Sequence, residues 1–304
     1  MSSNNLITAN FGEDTLSIVN TMRPQHVEIL DLKELLSKNH KGTINKIGPT
    51  NLLYNEDKKI LVLNSINDSL IELDLEEKYL TNMVKLGRCP IDMKVHLDKI
   101  YIINCDSNSI SIIDRKNLRI LETIQVEDRP ISIDIEKSSN KIYIANLGSK
   151  SISIIHEKNY KNHIKYSLLP LQIKIFEKYI YLLSLKDTIR NYSKLVALDK
   201  KSLNIVWEIK LKGLFFDFVK IDKYEKYYLV NAEDSYLYNI NIHDKKVNKI
   251  LYLGGLPFKI IFDGTNYLYI SDILKSQVFK VNLINNQIED IIKVGKDPQG
   301  ILLL

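Results

Sequence analysis

Apolar and polar residues alternate with a period of two along most of the chain, which is the pattern of half-buried β-strands. The clearest alternating runs cover residues 15–19, 69–74, 109–114, 151–155, 194–199, 236–242 and 277–283. A helical period is almost absent. Its best example is VEILDLKELL at 27–36, inside an insertion that lengthens the first repeat. The pattern therefore indicates an all-β protein.

Two sequence markers recur in phase with these runs. Each run follows a short apolar segment that ends in Asn or Ser, and the seven segments end at Asn10, Asn64, Asn104, Asn146, Ser184, Asn231 and Ser271. From Pro49 onward the prolines are 41, 40, 40, 87 and 41 residues apart, and the step of 87 is two periods with Phe215 near the missing proline. Two markers in phase predict seven repeats of about 40 residues.

The repeat length selects one architecture. Each repeat supplies four short antiparallel strands joined by polar turns, and a sheet of that size cannot bury both of its faces alone. Seven such sheets packed around an axis bury all of them, as the blades of a β-propeller do. A β-sandwich does not predict markers in phase. We therefore predict that residues 1–304 form a single seven-bladed β-propeller domain with four antiparallel strands in each blade.

The two ends of the sequence each hold part of one repeat. Residues 299–304 read as the start of a repeat, whereas residues 6–9 read as its second strand. We therefore expect the C-terminal strand to be the innermost strand of the first blade and to lie beside residues 6–9.

Two stretches of the chain resemble a known family. The segment IYIINCDSNSISIID at 100–114, with TIQV at 123–126 and PISID at 130–134, resembles the YVTN β-propeller repeat, as does IYIANLGSKSISII at 142–155. The resemblance implies a propeller related to surface-layer, periplasmic or scaffold proteins, with a few enzymes on similar folds. Most such proteins carry a signal peptide. Residues 1–10 show no such pattern, so we expect a cytoplasmic protein, with a cell or spore surface as the alternative.

Composition narrows the classes of partner. The formal net charge of +5 and the pI near 8.8 neither require nor exclude nucleic acid as a partner. No apolar run approaches the roughly 18 residues that a membrane span needs, so we expect no membrane insertion. Frequent Ile, Lys and Asn are typical of an AT-rich bacterium.

We expect Cys89 and Cys105 to lie near each other without a disulfide, with Cys89 opposite Asp106.

One register of the repeat is polar within otherwise apolar strands. Two positions after each proline marker the sequence places Asn51, Asp92, Ser132, Gln172, Asp217, Lys259 and Gly300. We expect these residues to surround one end of the central channel, with Lys94, Asp134 and Lys174 extending the polar lining. They either cap turns and bind channel water, or they form a mixed-charge binding mouth.

Catalytic patterns are absent from the sequence. The six histidines, which include His40, show no metal-ligand spacing, and no glycine-rich phosphate loop is present. We therefore expect no catalytic residues, no metal and no cofactor. The leading hypothesis is a non-enzymatic interaction or structural scaffold whose partner is another protein. The alternatives are a propeller enzyme, such as a lactone hydrolase or a metal-dependent lyase, and a structural protein of a cell or spore surface.

Overall fold

A computed structural model describes residues 5–39, 45–156, 160–186 and 192–304 of the chain. These residues form seven four-stranded antiparallel sheets. The chain is a seven-bladed β-propeller, which confirms the predicted fold class. Its contacts divide it into two compact units, Met1–Met83 with Phe215–Leu304 and Val84–Leu214.

The first compact unit contains blades 1, 2, 6 and 7. Blade 1 comprises β1 (Asn5–Asn10), β2 (Thr15–Asn20), β3 (Val27–Asp31) and the C-terminal strand β28 (Pro298–Leu303). Blade 2 comprises β4 (Pro49–Tyr54), β5 (Lys59–Asn64), β6 (Ser69–Asp74) and β7 (Tyr79–Lys85). Blade 6 comprises β20 (Phe215–Ile221), β21 (Lys226–Asn231), β22 (Tyr236–Asn241) and β23 (Val247–Tyr252). Blade 7 comprises β24 (Pro257–Phe262), β25 (Tyr267–Asp272), β26 (Gln277–Asn282) and β27 (Gln287–Lys293).

The second compact unit contains blades 3, 4 and 5. Blade 3 comprises β8 (Pro90–His96), β9 (Lys99–Asn104), β10 (Ser109–Asp114) and β11 (Ile120–Gln125). Blade 4 comprises β12 (Pro130–Glu136), β13 (Lys141–Asn146), β14 (Ser151–His156) and β15 (Tyr160–Lys165). Blade 5 comprises β16 (Leu169–Phe176), β17 (Tyr179–Leu185), β18 (Tyr192–Asp199) and β19 (Ile205–Lys212). Single turns of 3₁₀-helix cover Cys105–Ser107 in this unit and Asp222–Tyr224 in the other.

The C-terminal strand closes the first blade as predicted. Strand β28 pairs antiparallel with β1, so that Leu6 lies opposite Leu303 and Ala9 lies opposite Gly300. The sheet runs β28, β1, β2, β3, and blade 1 therefore depends on both ends of the described chain.

The burial pattern explains why the second and third strands of the blades are apolar. In blade 3, five of the six residues of β9 and five of the six residues of β10 are buried, whereas β11 is largely exposed. Isoleucines and tyrosines from one blade pack against those of the next. Buried clusters of this kind lie within each compact unit, and one of them joins Tyr101 and Ile112 of blade 3 to Ile142 and Ile155 of blade 4.

The asparagine marker has a physical cause. The side-chain amide of Asn104 donates hydrogen bonds to the Ser109 and Ser111 hydroxyls at 3.1 and 2.9 Å. Asn146 repeats both contacts in blade 4. The NH₂ group of the amide thereby ties the end of the second strand to the start of the third, whereas the Oδ1 atoms of Asn104 and Asn146 are buried without a partner among the described residues. In blade 7 the corresponding position is Asp272, opposite Pro257, and not Ser271.

The helical expectation for residues 27–36 is half wrong. Val27–Asp31 is β3, the fourth strand of blade 1, because it pairs with β2 along its length. Only α1 (Leu32–Asn39) is helical. The Asp31 carboxylate accepts from the backbone N–H groups of Lys33 and Glu34 at 2.8 and 3.0 Å, which caps the helix and fixes its start.

A buried carboxylate attaches the insertion to the blades. Asp14 accepts from the backbone N–H groups of Ile47 and Gly48 at 3.0 and 2.8 Å, and its carboxylate lies 2.9 Å from the Lys33 ammonium. Burial alone would raise the pKa of Asp14, but these partners together hold it below its ordinary value. Leu32 and Leu36 of α1 are fully buried in the cluster shared by blades 1 and 2.

The two cysteines lie side by side, as expected, but in a different register. The Cys105 N–H donates to the Cys89 carbonyl at 2.9 Å, and the two cysteines are not joined by a disulfide. The expectation that Cys89 faces Asp106 is wrong because β8 has a bulge between Pro90 and Asp92, which moves Pro90 opposite Asn104.

Deleting residues 299–304 tests the closure of blade 1. We expect loss of the cooperative thermal transition and aggregation, because β1 would lose one of its two hydrogen-bonded neighbours and buried side chains such as Leu6 would become exposed. Circular dichroism melts and size-exclusion chromatography measure the effect. A soluble monomer as heat-stable as the full chain would contradict this assignment of β28.

Candidate functional site

The predicted polar residues occupy equivalent places on the first strands of the blades. In blades 2 to 6 the strand has a bulge after the proline marker or its substitute, and the polar residue follows the bulge. Gly300 has the matching place in β28, opposite Ala9. In blade 7 the backbone pairing is interrupted between Pro257 and Ile260, and Lys259 lies within that interruption.

Three of these residues connect their blade to the next. In the second compact unit, Asp92 of blade 3 accepts from the Ile133 N–H of blade 4 at 3.0 Å, and the Ser132 hydroxyl of blade 4 accepts from the Ile173 N–H of blade 5 at 3.2 Å. In the first compact unit, Asp217 of blade 6 accepts from the Ile260 N–H of blade 7 at 3.3 Å. The same register thus makes the same contact three times.

The hydrogen bond between blades gives a partner to an N–H group of an edge strand. The first strand of each blade lies at the edge of its sheet, so half of its N–H groups have no partner in that sheet. A side-chain acceptor from the preceding blade satisfies one of them. The second oxygen of Asp92 accepts a hydrogen bond from the Met93 N–H at 2.9 Å. The second oxygen of Asp217 likewise accepts from the Phe218 N–H at 2.9 Å. A carboxylate suits this position because its two oxygens accept independently.

Asp134, predicted as an extension of the polar lining, makes the same kind of contact two residues further along. Its oxygens accept from the N–H groups of Ile135 at 3.0 Å and of Ile175, in the next blade, at 2.7 Å. Burial raises the pKa of Asp134, and the Lys94 ammonium partly offsets that rise. The Lys94 ammonium therefore acts electrostatically on a carboxylate that burial destabilises.

The remaining predicted residues divide by role. The Gln172 side chain accepts from the Ser132 hydroxyl at 3.2 Å, and Asn51 accepts from the Leu52 N–H at 2.8 Å. Gly300 permits close approach, since a Cβ there would stand 2.9 Å from the Thr50 carbonyl. Lys259 differs from them because its ammonium lies 6.0 Å from the centre of the Phe258 ring.

Blades 6 and 7 carry a group of aromatic side chains where Lys259 lies. Phe216 and Phe258 follow the markers of consecutive first strands, and their ring centres are 5.3 Å apart. Tyr236 and Tyr252 of blade 6 form a second pair at 5.0 Å. We use the name aromatic face for these four aromatic residues together with Lys259 and with Leu274 and Lys275 of the turn after β25.

The aromatic face lies at the loop end of its blades, where the turn after the second strand meets the connection from the preceding blade. The Ile273 N–H donates to the Leu256 carbonyl at 3.2 Å, which joins these two loops directly. Leu274 is 71% exposed and Tyr252 is 59% exposed. Single exposed apolar side chains are common on protein surfaces, whereas apolar side chains grouped in one patch are typical of an interaction site.

The sequence-based prediction of the site did not include Phe216 and Phe258. It selected the second position after each marker, whereas both phenylalanines occupy the first. The available signal was the residue type there, since two consecutive repeats have Phe where blades 3 to 5 have Ile91, Ile131 and Leu171. All five residues are half-buried.

Within the described ranges, no three His, Cys, Asp or Glu side chains gather as a metal ion would require. His40 lies outside the described residues. The helix of the described chain is also far from the length and apolar character of a membrane span.

Solved structures resemble the chain in fold. A functionally unknown protein from Desulfotomaculum acetoxidans matches with a TM-score of 0.77 at 12% identity, covering 99% of both chains. A putative 6-phosphogluconolactonase from Bacteroides uniformis matches with a TM-score of 0.73 at 14% identity, again over 99% of both chains. Kuenenia stuttgartiensis hydrazine synthase matches with a TM-score of 0.72 at 16% identity, over 86% of this chain and 91% of that one. No protein-family model and no curated protein matches the sequence.

The Asp92→Asn variant tests the contact between blades. Its amide keeps one acceptor oxygen but places an NH₂ group against an N–H donor, so we expect the free energy of unfolding to fall by about 1–3 kcal/mol. Chemical denaturation measures the change. The matched control is Asp106→Asn on an exposed loop, with an expected change within about 0.5 kcal/mol. Equal effects of both substitutions would contradict the proposed contact.

The titration of Asp134 tests the effects of its burial and of the Lys94 charge. We expect its carboxyl carbon to titrate by NMR above the usual midpoint of about 3.9, and Lys94→Met to raise the midpoint further. Because the folded-state pKa is raised, ionised Asp134 lowers stability at neutral pH, and this cost is relieved as the pH falls through the folded-state pKa. Lys116→Met, on an exposed turn, is the control. A midpoint unchanged by Lys94→Met would contradict the effect of the Lys94 charge.

Proposed function

We propose that the protein is a non-enzymatic interaction scaffold that binds another protein through the aromatic face of blades 6 and 7. The observation that carries the proposal is the paired rings of Phe216 and Phe258, which lie half-buried at a loop end with the Lys259 ammonium 6.0 Å from the centre of the Phe258 ring.

The chemistry of the aromatic face supports a protein partner. Aromatic rings bury large areas at a low cost in side-chain entropy, and they are enriched at the centres of protein interfaces. Phe216 and Phe258 are already held against each other, so little freedom remains to be lost on binding. Lys259 and Lys275 add positive charge at the edge. The partner segment that fits best presents apolar anchor side chains flanked by carboxylates.

The contacts between blades support the same proposal in another way. Asp217 of blade 6 holds the first strand of blade 7 by accepting from Ile260. Phe216 directly precedes Asp217, and Phe258 lies two residues before Ile260, so the separation of the two rings is set by this contact between the strands. A preorganised surface of this kind loses less free energy to ordering when a partner binds.

A double variant, Phe258→Ala with Lys259→Glu, tests the proposed function. The matched control, Ile120→Ala with Leu121→Ala, removes two exposed apolar side chains from β11 in blade 3. Each tagged protein is purified from its native host after chemical cross-linking and analysed by quantitative mass spectrometry. We expect one protein to accompany the wild type and the control, to decrease at least tenfold with the double variant, and to rebind the purified chain directly.

The proposal fails if no accompanying protein distinguishes the double variant from the control while both variants melt like the wild type. Fluorescence microscopy of the same tagged chain separates a cytoplasmic scaffold from a protein of the cell or spore surface.

A further inference from the structure

A cavity of about 360 Å³ opens between blades 3 and 4, within the second compact unit. It lies at the end of the blades opposite to the loop end, beside the turn that joins β8 to β9. Its volume is within the range of small-ligand sites, about 300–1,000 Å³. The lining residues are His96, Leu97, Asp98, Lys99, Tyr101, Ile112, Glu122, Ile124, Ser139, Asn140, Ile142, Ile155 and His156.

The walls of the cavity are aliphatic. Ile112, Ile142 and Ile155 are at least nine-tenths buried and belong to the cluster that joins the two blades. The ring of Tyr101 continues this surface, since Tyr101 lies opposite Ile112 in the sheet. An apolar body, flat enough to lie between two sheets, fits such walls.

Two buried polar side chains line the cavity. Tyr101 is 9% exposed and His96 is 8% exposed. The His96 Nε2 atom lies 2.6 Å from the Asn140 Oδ1 atom, and because an amide oxygen only accepts, Nε2 carries the proton. Within the described part of the chain, the Tyr101 hydroxyl has no hydrogen-bond partner. The hydroxyl can therefore form a hydrogen bond with a molecule that enters the cavity.

At the junction of blades 4 and 5, charged side chains occupy the position that corresponds to the cavity. Tyr143 of blade 4 has the same register as Tyr101, and Glu136 has the same register as His96. There the Tyr143 hydroxyl lies 3.5 Å from the Glu136 carboxylate, which also pairs with Lys200 of blade 5 at 3.1 Å. An internal ion pair thus occupies the position that at the junction of blades 3 and 4 is a cavity lined by an imidazole and a phenol.

The charges around the cavity define the ligand further. Asp98, Lys99 and Glu122 line the cavity, but their side chains are exposed. Of the titratable residues that line it, only Tyr101 and His96 are at least nine-tenths buried. An ionised ligand group placed there would lose its hydration without an opposite charge. A hydroxyl group suits it better, because it can both donate and accept.

We propose that this cavity binds a small, uncharged ring compound that carries a hydroxyl group, with the ring between the isoleucine walls and the hydroxyl bonded to Tyr101. The site is separate from the aromatic face and does not depend on the proposed scaffold function.

The test uses 2-naphthol, whose fluorescence reports binding, and naphthalene-2-sulfonate as its charged counterpart. We expect saturable binding of 2-naphthol with NMR shifts at His96 and Tyr101, and at least tenfold weaker binding of the sulfonate. Tyr101→Phe keeps the ring and removes the hydroxyl, so affinity for 2-naphthol should fall about fivefold. Tyr143→Phe, at the matched register of blade 4, should leave the affinity unchanged.

Melting curves of both variants establish that they are folded. The proposal is overturned if 2-naphthol does not saturate the protein, if its shifts fall outside the cavity, or if the two tyrosine variants bind it equally. Equal binding of the sulfonate would overturn the assignment of an uncharged ligand.

Discussion

The first strand of each blade is an edge strand, and its unpaired N–H groups must find acceptors outside their own sheet. Within each compact unit this constraint is met by a side chain from the preceding blade. Asp92, Ser132 and Asp217 do so at one register, and Asp134 does so at a second. The acceptor and donor are about 40 residues apart in sequence, so the contact both joins neighbouring blades and sets their mutual register.

The other recurrent interactions act inside a blade. Asn104 and Asn146 hold the second and third strands together through serine hydroxyls, while the strands themselves are almost wholly apolar. Burial on both faces supplies the stabilising free energy, and the amide contacts give the buried serine hydroxyls a hydrogen-bond donor. Blade 1 follows the same plan although its strands come from opposite ends of the chain.

Because the buried strands of the blades are similar, the chemical differences between blades lie mainly at the two ends of the blades. The buried strands repeat the same residue types, but the loop end of blades 6 and 7 carries the aromatic face, and the opposite end of the junction between blades 3 and 4 holds a cavity. In both places a repeat departs from its neighbours: Phe216 and Phe258 replace aliphatic residues, and His96 stands where blade 4 has Glu136. Departures from a repeat are informative because the fold does not require them.

The number of blades, the strands in each and the closure by residues 299–304 follow from the sequence alone, because proline, asparagine and alternating apolar positions reflect local needs of a strand or a turn. The polar register after each marker is also visible in the sequence. The role of this register is not visible in the sequence. Whether Asp92 contacts a ligand or the Ile133 N–H depends on the packing of the next blade, and Ile133 is 41 residues further along the chain. Residues 27–31 have a helical pattern in the sequence, but they form a strand because they pair with β2. The sequence predicts Cys89 opposite Asp106 because it does not show the bulge after Pro90. The aromatic face and the cavity beside Tyr101 were likewise decided by tertiary structure, since each is formed by side chains from two blades whose contact no local pattern encodes.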